Sequence, residues 1–279
     1  MRTTVSLARF VAVTALLTAG AFTAAAGVPR PEHPRPDLCR DSWMSLNGEW
    51  QFEIDKEADR DSRGLTYGKD LNGKIIVPFC PESNLSGMGL GNTEKLKNVW
   101  YRRTFELPAA MGGKRVRIHF GGVDYRAWVY INGQLAGMHV GENAGFALEI
   151  TKWLKEGTNE VVVKVLDDMW SGLQPCGKQS GDKSWSCFYT RTTGIWQSVW
   201  LEAVGSSFVE NISIVPDPDN ARVLIDAKIN GADKDLTLAA EGERYLHLPG
   251  WRQAASGRLR TEARVAFREQ TVGADAPGR

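Results

Sequence analysis

The sequence has few of the features that mark several common protein classes. Lys+Arg and Asp+Glu are nearly balanced, 34 against 33, which argues against the strongly basic surface typical of nucleic-acid binding. Only four cysteines are present, and no CxxC or HExxH pattern occurs, so zinc and other metals gain no support and no cofactor is indicated. Beyond residue 26 no apolar run is long enough to cross a bilayer.

The abundant residues point to an all-β protein. Hydrophobic residues make up 42% of the chain, a normal globular share that argues against wholesale disorder. The 29 Gly and 10 Trp, together with the lack of a long amphipathic helical pattern, favour short strands joined by tight turns.

The first 26 residues have the pattern of an export signal. Arg2 and Arg9 give a positive start, Phe10 to Leu17 is apolar, and Ala24 to Ala26 supply a cleavage site. A membrane anchor is the weaker alternative, because the apolar stretch is short and interrupted. We therefore expect an exported protein, periplasmic or extracellular, with no membrane partner after cleavage.

Residues 27–42 are proline-rich and predict an extended leader, and residues 43–204 then show eight or nine short alternating runs. Val116, Ile118 and Phe120 should face a core, and Asn132-Gly133 predicts a hairpin turn. This spacing predicts a two-sheet β-sandwich of jelly-roll type.

A second β region is predicted for residues 208–241, after a boundary at 205–207. Residues 242–279 are rich in Arg, Ala and Gly, and their periodicity fades. We expect an atypical tail there, either from a truncated or frame-shifted end or as a disordered segment, with no strand to complete the second domain.

The four cysteines leave the redox state open. In an oxidising compartment they allow three disulfide pairings, and Cys176 with Cys187 is the pair to test first. Four independent thiols are the alternative, slightly favoured.

An ordered set of motifs resembles the N-terminal sugar-binding domain of glycoside hydrolase family 2, which includes β-galactosidases, β-glucuronidases and β-mannosidases. The motifs are Leu46-Asn47-Gly48-Glu49-Trp50-Gln51-Phe52, Ile76-Val77-Pro78-Phe79, Val99-Trp100-Tyr101-Arg102-Arg103-Thr104-Phe105, Phe120-Gly121-Gly122-Val123-Asp124, Val129-Tyr130-Ile131-Asn132-Gly133 and Thr193-Gly194-Ile195-Trp196-Gln197-Ser198-Val199-Trp200-Leu201. The resemblance covers roughly residues 43–204, and residues 208–240 resemble the start of the family's immunoglobulin-like domain.

The resemblance implies that catalysis belongs to an (α/β)₈ barrel that carries two Glu side chains. Retaining hydrolysis needs two carboxyl groups about 5 Å apart. We expect this chain to contain no catalytic residue, because Asn159-Glu160 imitates the acid/base motif only at the start of a Val-rich strand. Glu160, like Glu142, is expected to be solvated. The pair Asp167-Asp168 has the hard oxygen ligands that calcium prefers, but two solvated loop acids are the favoured interpretation.

Three residues are candidates for sugar binding. By resemblance to the β-galactosidase branch, Asn98 should approach the sugar, although a local role at the start of a strand fits equally well. Some β-galactosidases have an Asp three residues before the residue matching Arg191, but Phe188 stands there, so Arg191 either binds sugar or positions a loop. Trp185, in a long polar loop, is a stacking platform or a domain-interface residue.

Three hypotheses follow. The first is the non-catalytic N-terminal region of a family 2-like glycoside hydrolase acting on β-linked sugars, with carbohydrate and a catalytic barrel as partners. The second is a stand-alone carbohydrate-binding or interaction module without enzyme activity. The third is a non-functional fragment that exposes a barrel-facing surface.

Overall fold

A computed structural model of the chain describes residues 27–56, 64–217, 219, 222–231, 237–245 and 256–264. The predicted export signal lies outside these residues. Within them, no helix has the length and apolar character needed to span a membrane.

Nearly all the regular structure in the described part is β. The strands are β1 (Trp43–Ser45), β2 (Gly48–Ile54), β3 (Gly73–Val77), β4 (Asn98–Glu106), β5 (Arg115–Phe120), β6 (Val123–Asp124), β7 (Arg126–Ile131), β8 (Gln134–Val140), β9 (Phe146–Glu149), β10 (Thr158–Leu166), β11 (Gln179–Ser180), β12 (Tyr189–Thr190), β13 (Gly194–Ile195), β14 (Val199–Val204), β15 (Phe208–Asp217), β16 (Arg222–Asn230), β17 (Thr237–Tyr245) and β18 (Ser256–Arg264). Four single 3₁₀ turns accompany them, Pro36–Leu38, Asn84–Ser86, Ala109–Met111 and Thr151–Trp153.

Two antiparallel sheets form the first domain. One has six strands in the order β3-β2-β4-β10-β7-β8, and the other has four in the order β1-β14-β5-β9. The short pairs β6–β13 and β11–β12 lie outside both sheets, and β11–β12 is parallel. The all-β sandwich predicted from the spacing of the strands is confirmed.

The hydrophobic core lies between the two sheets because the inward positions of each strand alternate with outward ones. Val116, Ile118 and Phe120 of β5 are buried as predicted, and Val161, Val163 and Val165 of β10 pack in the same cluster. Burying one such side chain contributes roughly 1.5–3 kcal/mol, so this interface is a major source of stability for the domain.

The tryptophans in the strands serve packing. Trp50, Trp100 and Trp200 are buried and Trp128 is half-buried. Trp100 packs with Leu65, Leu71 and Val162 in a second cluster, separate from the main core. The indoles of Trp50 and Trp100 are therefore closed to a ligand in solvent.

The β7–β8 connection follows the predicted hairpin. Asn132 and Gly133 have φ values of 48° and 82°, the left-handed pair that a type I′ turn requires. A Cβ at residue 133 would also lie 2.9 Å from the Cβ of Tyr67, so glycine is needed there for space as well.

Glu160 differs from its prediction as a solvated residue. It is 5% exposed, lies 2.6 Å from Arg102 Nη2 through Oε2, and accepts the Gly68 N–H at 2.9 Å through Oε1. The segment 64–71 covers this part of the sheet, and the prediction failed because that cover follows from tertiary packing.

The leader is docked on the four-stranded sheet. The Asn47 side chain donates to the backbone oxygen of Pro29 at 3.1 Å, and the His33 ring meets Trp43 edge-on at 4.8 Å. Arg40 donates to Glu202 and, at 2.6 Å, to the backbone oxygen of Val209. The leader thus joins the first domain to the start of the second.

The second β region begins with the antiparallel pair β15–β16. Within residues 242–279, for which we expected no completing strand, the structure places β18, paired with β17. The sequence of β18 explains the difference: Arg258, Arg260, Glu262 and Arg264 alternate with less polar residues at period two, a strand pattern hidden by the Arg-rich composition.

All four cysteines are free thiols in the structure. Cys39 and Cys187 are exposed, whereas Cys80 and Cys176 are partly buried. Burial raises the pKa of Cys80 to about 12, with the charge of Glu82 acting in the same direction, so this thiol is a weak nucleophile.

Candidate functional site

Charged side chains converge at one end of the sandwich, where several strands end and loops begin. Glu82 follows β3, Asp124 ends β6, Asp167 follows β10, and Arg191 precedes β13. All four are at most 5% exposed, which is unusual for charged residues. These four residues are called the loop-end cluster below.

Arg191 is the only basic member of this cluster. Its Nε lies 3.5 Å from Glu82 Oε1, and its guanidinium carbon lies 5.3 Å from the centre of the Trp170 ring. None of its three guanidinium nitrogens hydrogen-bonds to a described residue. The cation is therefore held by the charge of Glu82 and by the Trp170 ring.

Thr193 links two of the acids. Its hydroxyl donates to Asp167 Oδ2 at 2.9 Å and its backbone N–H donates to Glu82 Oε2 at 3.2 Å. Asp167 was predicted to be solvated, but it is 1% exposed and also accepts from Gln174 Nε2 at 2.7 Å. Burial raises the pKa of both carboxyl groups, and these hydrogen bonds oppose it only in part.

Asp124 lies at the wall of a cleft of about 230 Å³. The other lining residues are Glu142, Asn143, Cys176, Gly177, Lys178, Gln179, Tyr189, Thr190, Thr192 and Trp196. The amide of Gln179 donates to Asp124 Oδ2 at 2.8 Å and to Glu142 Oε2 at 3.2 Å, so one nitrogen holds two carboxylates together. Gln179 Oε1 accepts the Thr192 N–H at 2.7 Å, which fixes the orientation of the amide.

Asp124 is the most perturbed acid of the cluster. Burial, reinforced by the charge of Asp167, raises its pKa to about 8. Its Oδ1 is buried and has no hydrogen-bond partner among the described residues. Perturbed acids in a cleft are candidates for a functional site.

The three predicted sugar-binding residues lie outside the lining of the cleft. Asn98, the first residue of β4, is 9% exposed, and its backbone oxygen accepts the Asp55 N–H at 2.8 Å. Trp185 is 64% exposed and stacks on Phe188 with ring centres 5.0 Å apart. Asn98, Arg191 and Trp185 are all absent from the lining of the cleft.

The cleft residues were missed because they are distant in sequence. Asp124 and Gln179 are separated by 55 positions, and no local sequence spacing indicates their contact. The available signal was Gly121-Gly122-Val123-Asp124, where an apolar strand ends in a glycine pair followed by an acid.

A larger open groove, of about 1070 Å³, lies between the leader, the four-stranded sheet and β15. Next to it Glu202, 2% exposed, accepts from Arg40 Nε at 2.7 Å and from Trp200 Nε1 at 2.8 Å. Burial raises the pKa of Glu202, but the His119 charge and these two hydrogen bonds outweigh it and lower the pKa.

His119 stacks on Trp200 with ring centres 4.8 Å apart. Burial lowers the pKa of His119 to about 4, although the charge of Glu202 acts in the opposite direction. Within the described part of the chain, no group of three or more His, Cys, Asp or Glu is placed to hold a metal ion.

Residues 91–204 match the family described as glycosyl hydrolases family 2, sugar binding domain. The β-galactosidase of Thermoanaerobacter pseudethanolicus is 32% identical over 120 residues, which cover 42% of this chain and 15% of that protein. The β-galactosidase of Kluyveromyces lactis is 29% identical over 215 residues, covering 74% of this chain and 17% of that protein. The chain thus spans a small part of the length of these relatives.

Solved structures show the same fold. The β-glucuronidase of Ruminococcus gnavus in complex with uronic isofagomine matches with a TM-score of 0.60 at 21% identity, over 84% of this chain and 39% of that chain. A β-glucuronidase of Lactobacillus rhamnosus matches with a TM-score of 0.56 at 21% identity, over 82% of this chain and 40% of that one.

Proposed function

We propose that this chain, whose residues 91–204 are a sugar-binding domain of glycosyl hydrolases family 2, is the non-catalytic N-terminal region of an exported glycoside hydrolase acting on β-linked sugars. The observation that carries the proposal is the family match, which lies within the sandwich of two sheets. Relatives named β-galactosidase and β-glucuronidase support the reaction class.

The contacts of the candidate acids support the non-catalytic role. Glu160, the acid of the Asn-Glu pair, is held by Arg102 against the sheet and lies outside the lining of the cleft beside Asp124. Glu202 is engaged by Arg40 and Trp200. Asp124 and Glu142 share one Gln179 nitrogen, which fixes them for binding, while the barrel implied by the family would supply the catalytic pair.

A hydrolysis assay tests this proposal. The purified chain is incubated with chromogenic β-galactosides, β-glucuronides and β-mannosides, and we expect no turnover above buffer. Clear turnover that is lost in Asp124→Asn or Glu142→Gln would overturn the non-catalytic assignment.

The cleft favours a second candidate, a stand-alone carbohydrate-binding module. In that case the chain alone would bind glycans saturably on an array. Mass measurement of the exported chain tests export: we expect a mature N-terminus near Gly27, and a retained Met1 would contradict it.

A further inference from the structure

The cleft beside Asp124 has the size of a site for one small ligand. Its volume, about 230 Å³, lies below the roughly 300–1,000 Å³ of pockets that hold drug-sized molecules. Its walls come from β6, the segment between β8 and β9, and the loop that runs through β11 and β12. One six-membered ring with its substituents is an occupant of suitable size.

The polar groups of the cleft are acceptors fixed in place. Gln179 holds Asp124 Oδ2 and Glu142 Oε2, and Asn143 donates to Glu142 Oε1 at 2.7 Å. Asp124 Oδ1 stays buried without a described partner. A buried polar atom left unpaired costs about 1–3 kcal/mol, so a ligand hydroxyl that hydrogen-bonds to it gains affinity.

The cleft also has aromatic walls. The Trp196 indole N–H donates to the Glu142 backbone oxygen at 2.9 Å, which locks the ring against Gly122. A Cβ at residue 122 would lie 2.9 Å from Trp196 Nε1, so glycine is needed for this approach. Tyr189, 62% exposed, lines the cleft as well. Flat rings suit the apolar C–H face of a sugar.

We infer that this cleft binds one neutral pyranose ring, with Asp124 and Glu142 hydrogen-bonding to its hydroxyls and Gln179 holding the two carboxyl groups in register. The inference rests on the proposed carbohydrate function and names the ligand class. A uronate is disfavoured, because its carboxylate would lie beside the Glu142 carboxylate, and the exposed Lys178 is screened by solvent.

Calorimetric titration of the purified chain with methyl β-galactopyranoside, methyl β-glucopyranoside and methyl β-glucuronide tests it. We expect saturable binding of at least one neutral glycoside in about the millimolar range, tighter than the glucuronide by roughly tenfold or more. Glu142→Gln and Gln179→Ala should each weaken that binding about tenfold.

Asp182→Asn, an exposed acid of the same loop outside the lining, is the matched control and should leave binding unchanged. Circular dichroism and melting temperature separate lost binding from lost folding, and Tyr189→Ala gives a second test at an exposed position. Binding that ignores Glu142, Gln179 and Tyr189 would overturn the site but leave the carbohydrate function standing. No neutral glycoside binding, or equal binding of the glucuronide, would overturn the inference, whereas only the hydrolysis assay bears on the non-catalytic role.

Discussion

The sandwich contains two sets of buried ionisable side chains, and they differ in their hydrogen-bond partners and in the direction of their pKa shifts. Next to the leader, Glu202 is met by Arg40 and Trp200, and its pKa falls despite burial. In the loop-end cluster, Asp124 keeps an unpaired oxygen and Arg191 donates no guanidinium hydrogen bond to a described residue, and the pKa of Asp124 rises.

The difference in hydrogen-bond pairing distinguishes a stabilising set of charges from a set suited to binding. A buried charge with matched partners stabilises the fold it connects, here the leader, the four-stranded sheet and β15. A buried charge left partly unpaired raises the free energy of the folded protein, and such groups concentrate at functional sites. We therefore assign the leader side to stability and the loop end to binding.

The largest effect is expected from Glu202→Ala. It leaves Arg40 and Trp200 without their acceptor, and breaking a buried pair in this way costs about 3–5 kcal/mol. Urea unfolding measures the loss, with the exposed Glu156→Ala as the control. A loss equal to that of the control would end the assignment of Glu202 to stability.

Gly194→Ala should come next, because the loop end depends on close backbone approach. Gly194 has a φ of 77°, and a Cβ there would collide with the Tyr101 hydroxyl, which accepts the Ile195 N–H at 3.2 Å. Strain of this kind costs about 1–3 kcal/mol. Thermal unfolding checks it, with Gly157→Ala, also at positive φ but in open space, separating collision from backbone strain.

A smaller effect is expected from the double variant Arg191→Met with Glu82→Gln. Replacing a buried ion pair by residues of similar volume is often neutral or stabilising, so unfolding free energy should stay within about 1 kcal/mol of wild type. A loss as large as that of Glu202→Ala would show that the two sets of charges do not differ in role.

The subtlest effect concerns the pH dependence of stability. The pKa of Asp124 rises from 3.8 to about 8 on folding, so between these values the folded state holds a proton that the unfolded state releases. Stability from this group is full below about pH 4 and is lost as the pH rises through about 8. Asp124→Asn removes that loss, so the melting temperature of this variant relative to wild type should increase from pH 5 to pH 9. The melting temperature of Asp182→Asn should change with pH as that of wild type does.

Most of the fold could be predicted from the sequence. The period-two alternation in β5, the Val-rich run of β10 and the Asn132-Gly133 turn depend on local sequence, which is why they were predicted correctly. Trp196–Ser198 separates β13 from β14, and there the Trp196 backbone N–H donates to the Gly122 oxygen at 3.3 Å.

Much less of the candidate site could be predicted from the sequence. Asp124, Glu142 and Gln179 come together only through the order of the strands, and burial of Asp167 depends on partners at Gln174 and Thr193. Composition and motif spacing carry no information about such contacts. Asn98, Arg191 and Trp185 were chosen from motif resemblance and loop character, and their sugar-binding role stays a prediction.

The docked leader has a consequence for synthesis on the ribosome. Arg40 is made 162 residues before its acceptor Glu202, and β1 pairs with β14. At about 5–20 residues per second, on the order of ten seconds or more pass between synthesis of the leader and synthesis of β14, which carries Glu202. The four-stranded sheet is therefore the last layer of the nascent domain to close, and the earliest segment to emerge is among the latest to be secured.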